Sequence, residues 1–313
     1  MRLVLISIIQ IRVLLKETLG ILVDPVSKSS LKLADNRIRD GHIIDGVLVS
    51  ESGNEYIIQN GIVDLMPKRS DISIDKKLLA AWDKLQDNGE IVYAKFPELN
   101  CAVKTRNDMN EFKKFCSFHG VVLDVGCGPR MPIYLENNKN VRLAIGMDPL
   151  ISFNNNLLSD VDLFRGIGEF LPFKDETFDV ISFATSFDHM IEPITVLKEV
   201  RRILKKDGTM CFWINDDIPA KPSIVKRAIN KAKRTIFSKK SSKEIITTQL
   251  QRENEQKAIV QKMEIPEGAE DQFHLKHIRN SEFDSLCRSV KLKQIEKIGP
   301  ITINDLFVKY QKA

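Results

Sequence analysis

The stretch Val122-Leu-Asp-Val-Gly-Cys-Gly-Pro-Arg130 decides the reading of this chain. An apolar run ends in an acid, and a glycine turn follows at once. That layout predicts a buried strand that runs into a tight loop at the mouth of a nucleotide pocket. Gly126 and Gly128 permit positive φ and leave no Cβ in the way of a ligand.

Working outward, the chain alternates between strand and helix patterns from Val121 onward. Strands are expected at 121–125, 143–147, 178–184, 209–214, 293–298 and 306–311. Pro193 to Lys206 reads as a helix. Pro193 suits its first turn, Val196, Val200 and Ile203 share a face, Lys205 and Lys206 favour its C-terminus, and Gly208 ends it. Such alternation implies an α/β fold, with a mostly parallel sheet covered by helices on both faces. Asp148 closes the second strand, 24 residues after Asp124, a spacing that one strand-helix-strand crossover needs.

Upstream, residues 1–67 form a small β-rich unit with Gly, Asn and Asp turns, and 68–119 read as a helical linker or cap. Asp75 to Gln86 carries Leu78, Leu79, Trp82 and Leu85 in a helical stripe, and Met109 to Phe118 leads into the glycine motif. Residues 120–313 make the main domain, interrupted at about 216–270 by a polar, mostly helical insertion.

The 313 residues carry a formal charge of +5, but residues 221–243 alone hold nine Lys or Arg and no acid. The remainder is therefore mildly acidic. The segment forms a basic amphipathic helix. Four readings stay open for it: a lid over the pocket, a grip on an anionic lipid-linked or phosphorylated acceptor at a membrane surface, a grip on RNA, or a solvated helix packed on the domain. Few aromatics lie nearby, which disfavours stacking on single-stranded RNA.

Five cysteines without a C-x-x-C pair indicate free thiols in a reducing, cytoplasmic compartment. The apolar stretch from Leu3 to Leu15 is too short to span a bilayer, so it reads as a core element or a peripheral membrane anchor.

The order of these parts resembles the class I S-adenosylmethionine-dependent methyltransferases (methyltransferase type 11-like), from about Val121 to Tyr310 without the insertion. The resemblance implies a Rossmann-like, seven-stranded, mostly parallel sheet and S-adenosyl-L-methionine as cofactor. It implies that Asp124, Gly126, Cys127 and Gly128 wrap the amino acid end of the cofactor, and that Asp148 with Pro149 receives the ribose hydroxyls. Cys127 itself reads as a small residue that fits the loop. Gly166 to Ile181 (GIGEFLPFKDETFDVI) resembles the segment that edges the adenine, which brings in Gly168, Glu169 and Phe170, with Thr185 following the fourth strand. Ile167 stands where an acid is usual, and Arg130 where a third glycine is usual. Asp179 has a structural role at least as readily as a ligand role.

In SFATSFDHMIEP, His189 aligns with a family histidine. It serves either as a general base or to order the turn, and Asp188 is the competing candidate. His274 and His277 resemble the opening of the last helix of the family. Three residues apart on a helix they suit a metal, yet no carboxylate or cysteine partner is evident, so they are expected at the acceptor mouth or the surface and no metal is assigned.

LVDPVSKSSL and SGNEYIIQNGIVDLMP are similar to the zinc-ribbon-like tRNA methyltransferase activator family. The four cysteine positions of that family fall on Asp24, Ser27, Val49 and Ser52. Zinc needs thiolate or imidazole ligands, so this domain is expected to lack the metal.

Three functions follow from these readings. The first is methyl transfer to an oxygen or nitrogen of a small-molecule or glycan/lipid-linked acceptor. The second is RNA methylation. The third is a non-catalytic, partner-binding methyltransferase-like protein. The oligomeric state is not legible.

Overall fold

A computed structural model describes residues 16–39, 42–100, 107–129, 133–135, 138–153, 161–215, 240–299 and 305–313. The N-terminal apolar stretch, Arg130, Cys101 and almost all of the basic segment lie outside these. Among the described residues eleven strands make one sheet: β1 Leu31–Arg39, β2 His42–Ser50, β3 Glu55–Gln59, β4 Ile62–Asp64, β5 Gly120–Val125, β6 Val141–Met147, β7 Val161–Arg165, β8 Phe178–Ala184, β9 Leu204–Asn215, β10 Leu292–Ile298 and β11 Asp305–Lys312. Their order is β1-β2-β3-β4-β7-β6-β5-β8-β9-β11-β10. Strands β5 to β9 run parallel, and β11 inserts antiparallel between β9 and β10.

The glycine-loop strand sits at the centre because it is buried on both faces. Val121, Leu123 and Val125 face one core, with Val196, Leu197, Val200 and Phe283. Val122 faces the other, with Met109, Phe112 and Phe115. Helices α3 (Pro193–Ile203) and α5 (Asn280–Ser289) thus cover one face, and α2 (Asn107–Cys116) the other. Continuous apolar strands of this kind belong to parallel sheets covered on both sides.

Helix α1 (Lys76–Lys95) starts where the Asp75 carboxylate caps the Lys77 and Leu78 N–H groups, both at 3.0 Å. It packs Trp82 and Leu85 against Ile167, Ile191 and Leu275, above the C-terminal ends of the strands. Helix α4 (Lys240–Val260) occupies the later part of the insertion. Among the described residues no helix is long and apolar enough to cross a membrane. Cys116, Cys127, Cys211 and Cys287 are free thiols.

Three features depart from the sequence reading. First, the small β unit is continuous with the main sheet: β4 pairs in parallel with β7. The Leu65 N–H donates to the Arg165 carbonyl at 2.9 Å, and Asp64 pairs with Arg165. This covers the β7 edge, which would otherwise expose unpaired backbone groups. Lys28 adds a second tie, since its ammonium donates to Glu199 of α3 at 2.5 Å and to the Leu171 carbonyl at 3.1 Å.

Second, β7 is an extra strand over Val161–Arg165. Third, α3 stops at Ile203, and Lys205 and Lys206 belong to β9. The Glu176 and Thr177 N–H groups take the Arg202 and Ile203 carbonyls at 3.1 and 2.7 Å. Lys205 reaches Asp179 at 2.7 Å. Phe178 pairs with Leu204 and Val180 with Thr209, so residues 205–208 bulge. Gly208 lies there because a Cβ would stand 2.9 Å from the Phe178 carbonyl oxygen.

The four positions aligned with zinc-ribbon cysteines diverge. Val49 stays in β2. Asp24, fully buried, becomes an acceptor hub. It receives the Val26 and Ser27 N–H groups at 2.8 and 2.9 Å, Asn54 Nδ2 at 3.1 Å, the Tyr56 hydroxyl at 3.0 Å and Ser52 Oγ at 3.3 Å. Burial works to raise its pKa, but these donors outweigh it and hold the carboxyl far below its usual range. A hydrogen-bonded carboxylate thus joins the turns at 24–27 and 52–56.

Asp24→Ala strands several buried donors, so it should lower unfolding free energy by about 2–4 kcal/mol in urea denaturation. Ser27→Ala, at an exposed hydroxyl, should change it by less than about 0.5 kcal/mol.

Candidate active site

The glycine loop is held by backbone bonds before any ligand is considered. At the end of β5, Gly126 takes φ +74°, and its N–H donates to the Met147 carbonyl of β6 at 2.8 Å. A Cβ there would lie 2.4 Å from Ser186 Cβ, so glycine is required by both angle and space. Gly128 takes φ +79°, but a Cβ would meet Tyr93 only at an ordinary 3.6 Å; the angle alone demands glycine.

Asp148 clasps this loop. One carboxylate oxygen accepts the Gly128 N–H at 2.8 Å and the other accepts the Leu150 N–H at 2.8 Å. Burial raises the Asp148 pKa against those two bonds. Each oxygen keeps a lone pair free.

Asp124 sits beneath the loop, 1% exposed. Ser182 Oγ on β8 donates to it at 2.6 Å, and the buried Tyr134 hydroxyl approaches without a well-aligned bond. Burial, opposed by these hydroxyls, lifts its pKa to about 7.

At the tip of β8, Thr185 adopts φ +60°, a strained value for a β-branched residue. The strain turns the chain so that Ser186 Oγ donates to the Val125 carbonyl at 2.5 Å and Phe187 enters the core. Glu169 is buried and accepts the Ile191 and Glu192 N–H groups at 2.7 and 3.0 Å. It thereby anchors the loop that carries Asp188 and His189. Gly168 leaves no room for a Cβ, which would stand 2.9 Å from Met190 Sδ.

These tips surround a cavity of about 510 Å³. Of the residues expected from the sequence, Gly126, Asp148, Pro149, Gly168, Glu169, Thr185, Asp188 and His189 line it. Four expected residues are not in that lining. Asp124 is covered by the loop and supports it from below. Cys127 packs toward the α2 core. Gly128 supplies backbone to Asp148, and Phe170 packs toward the α1 cluster. Asp179 acts at the opposite end of β5, where it accepts the Val121 N–H at 2.8 Å. Burial notwithstanding, Lys205 and that N–H hold its pKa low.

The other wall was not foreseen as site. Trp82, Gly89 and Tyr93 of α1 line it, with Trp213 and Phe273. Trp82 Nε1 donates to the His189 carbonyl at 3.0 Å, which fixes α1 to the loop. His274 and His277 also line the cavity, and they lie on an irregular segment before α5 rather than on a helix.

His189 Nδ1 lies 3.0 Å from the Phe273 carbonyl. A carbonyl only accepts, so Nδ1 carries the proton and Nε2 is the basic nitrogen of the neutral ring. The His189 ring stacks on His274, centroids 4.3 Å apart. Asp271 receives His274 Nδ1 at 2.9 Å and His277 Nε2 at 2.8 Å. Asp188, facing, and then Asp271 hold the His277 pKa up to about 9. Burial and the neighbouring His189 push His274 down. Asp188 is lowered by the histidines despite its burial.

Residues 123–212 match the family model described as a methyltransferase domain. The chain is 32% identical over 139 residues to the uncharacterized protein MJ1252 of Methanocaldococcus jannaschii, across 44% of this chain and 49% of that protein. It is 35% identical over 95 residues to tRNA U34 carboxymethyltransferase of Nautilia profundicola, across 28% and 31% respectively. The match thus spans about a third to a half of these relatives. A SAM-dependent methyltransferase structure from Aquifex aeolicus aligns with TM-score 0.43 at 14% identity, over 73% of this chain and 97% of that one. The glycine-loop strand and its parallel neighbours thus lie in the stretch that matches a methyltransferase domain. The bare loop, the Asp148 lone pairs and the cavity fit S-adenosylmethionine as the cofactor of such a domain.

Two predictions follow from the loop. Gly126→Ala should destabilise the protein by about 1–3 kcal/mol and cost more than Gly128→Ala, as thermal unfolding would show. Asp124 binds a proton in the folded state between its unfolded value of about 3.9 and about 7, so its contribution makes stability fall as pH rises through that window and level off above it. Asp124→Asn keeps an acceptor for Ser182 and should remove that slope in denaturation curves taken from pH 4 to 8.

Proposed function

We propose that this protein transfers the methyl group of S-adenosylmethionine to an oxygen or nitrogen of a small acceptor. The observation that carries the reading is the convergence of Gly126, Asp148 and the His189 loop on one cavity at the C-terminal strand ends, where open α/β sheets bind ligands. When bound, the cofactor supplies an activated methyl on a sulfonium, so the protein's task is chiefly positioning and desolvation.

Asp148 offers its two remaining lone pairs to the ribose diol, held in place by the Gly128 and Leu150 amides. The backbone at Gly126 admits the amino acid end without steric conflict. Ile167, Gly168 and Glu169 edge the adenine side, with the Glu169 carboxylate committed to the 191–192 backbone. His189 Nε2 takes the proton released by the acceptor hydroxyl or amine as it is methylated.

A volume of about 510 Å³ lies within the usual range of roughly 300–1,000 Å³ for small-molecule sites. The partial likeness to a tRNA-modifying relative and the basic segment 221–243 are the grounds for the alternative RNA acceptor. Among the described residues no Lys or Arg lines the cavity, which favours the small or glycan-type acceptor over a phosphate backbone.

Calorimetry with S-adenosylhomocysteine should give one site per chain, weakened at least about tenfold by Asp148→Ala through loss of two charge-assisted hydrogen bonds. No heat at high ligand concentration would replace this reading with that of a non-catalytic partner-binding protein.

A further inference from the structure

The loop before α5 and the loop after β8 bring together three groups that hydrogen bonding among themselves does not account for. His274 Nε2 lies 3.6 Å from Asp188 Oδ2, and His277 Nδ1 lies 3.7 Å from the same oxygen. Both separations exceed hydrogen-bond length. The other nitrogen of each ring is committed: His274 Nδ1 and His277 Nε2 both face Asp271, at 2.9 and 2.8 Å. A carboxylate accepts, so those nitrogens carry the protons. In the neutral rings the remaining nitrogens point lone pairs at a carboxylate oxygen.

Two imidazole nitrogens and a carboxylate oxygen thus converge on one point, where a cation is favoured: a proton on His277, or a metal ion in its place. The two gaps are close to the ligand–ligand edge of a metal site, since bonds of about 2.0–2.1 Å in tetrahedral geometry place neighbouring ligands about 3.3–3.4 Å apart. All three donor atoms fall within 4.8 Å of one another. Asp271 has the place of the outer carboxylate that orients metal-bound histidines.

We propose that Asp188, His274 and His277 bind a divalent transition-metal ion at the mouth of the cavity, positioned by Asp271. Two imidazoles and one carboxylate select zinc or a neighbouring first-row ion over magnesium. Three protein ligands leave a coordination position open, and all three ligands line the cavity, so that position is available to an oxygen of the acceptor. The metal assignment stands on these residues alone, and only its contact with the acceptor rests on the methyl-transfer reading. The sequence alone assigns no metal here, because Asp188 is distant along the chain and the spacing of Asp271, His274 and His277 brings their side chains to one point only when the loop is folded.

The test is calorimetric titration of EDTA-treated, full-length protein with ZnCl₂, with MgCl₂ in parallel. The expected result is one zinc per chain at micromolar affinity or tighter, with no magnesium at that site. His274→Ala and His277→Ala should abolish it, and Asp271→Asn should weaken it by about 10–100-fold. Far-ultraviolet circular dichroism and the thermal unfolding midpoint of the same variants should match those of the unmodified protein and certify that they fold. CoCl₂ added to the unmodified protein gives a readout that needs no variant: the intense visible bands of a low-coordinate site are expected, and the spectrum of the aqueous ion would overturn the proposal. So would zinc binding that survives both histidine substitutions. Zinc uptake without S-adenosylhomocysteine binding would leave the metal site standing and remove the methyl-transfer reading, and the reverse result would do the opposite.

Discussion

The clasp between the tips of β5 and β6 is the constraint on which the site depends. The Met147 carbonyl holds the Gly126 N–H, and the Asp148 carboxylate holds the Gly128 and Leu150 N–H groups. These bonds fix a loop that has no side chain at Gly126 and leave acceptor lone pairs at its rim. The central position of β5, buried on both faces, keeps the clasp rigid, because every neighbouring strand and both helical layers are registered against it. Cost is concentrated nearby, in the positive φ of Thr185 and in the buried Asp124 carboxyl. A well-packed surround can sustain such strain at a functional site.

A second constraint lies in the N-terminal unit, whose turns are joined through Asp24 and its donors. The unit is then built into the molecule by β4 on β7 and by Lys28 on α3, so that eleven strands share one sheet. The outer strands therefore support β7, and through it the Asp148 clasp, since the Phe164 carbonyl accepts the Asp148 N–H at 3.1 Å.

The legible and illegible parts separate by range of interaction. The glycine loop, the strand-helix alternation and the α1 stripe could be read locally, because each encodes its period in adjacent residues. The α3 terminus could not, since its carbonyls are taken by the turn at 176–177 and Lys205 is drawn to Asp179. β7 was missed because its buried Asp162 interrupts an apolar run; Thr18, far away in sequence, supplies the hydroxyl that satisfies it. The burial of Asp124 beneath the loop becomes evident only when β8 brings Ser182 beside it. The cavity wall from α1, like the Asp188–His274–His277 group, is created by tertiary folding alone.

The most direct measurement is a crystal structure of the protein grown with S-adenosylhomocysteine. The account predicts density for the nucleoside in the cavity, with its ribose hydroxyls at Asp148 and its amino acid end along the Gly126 backbone. Density for the ligand at a different surface, with the space between Gly126 and Asp148 filled by protein, would contradict it.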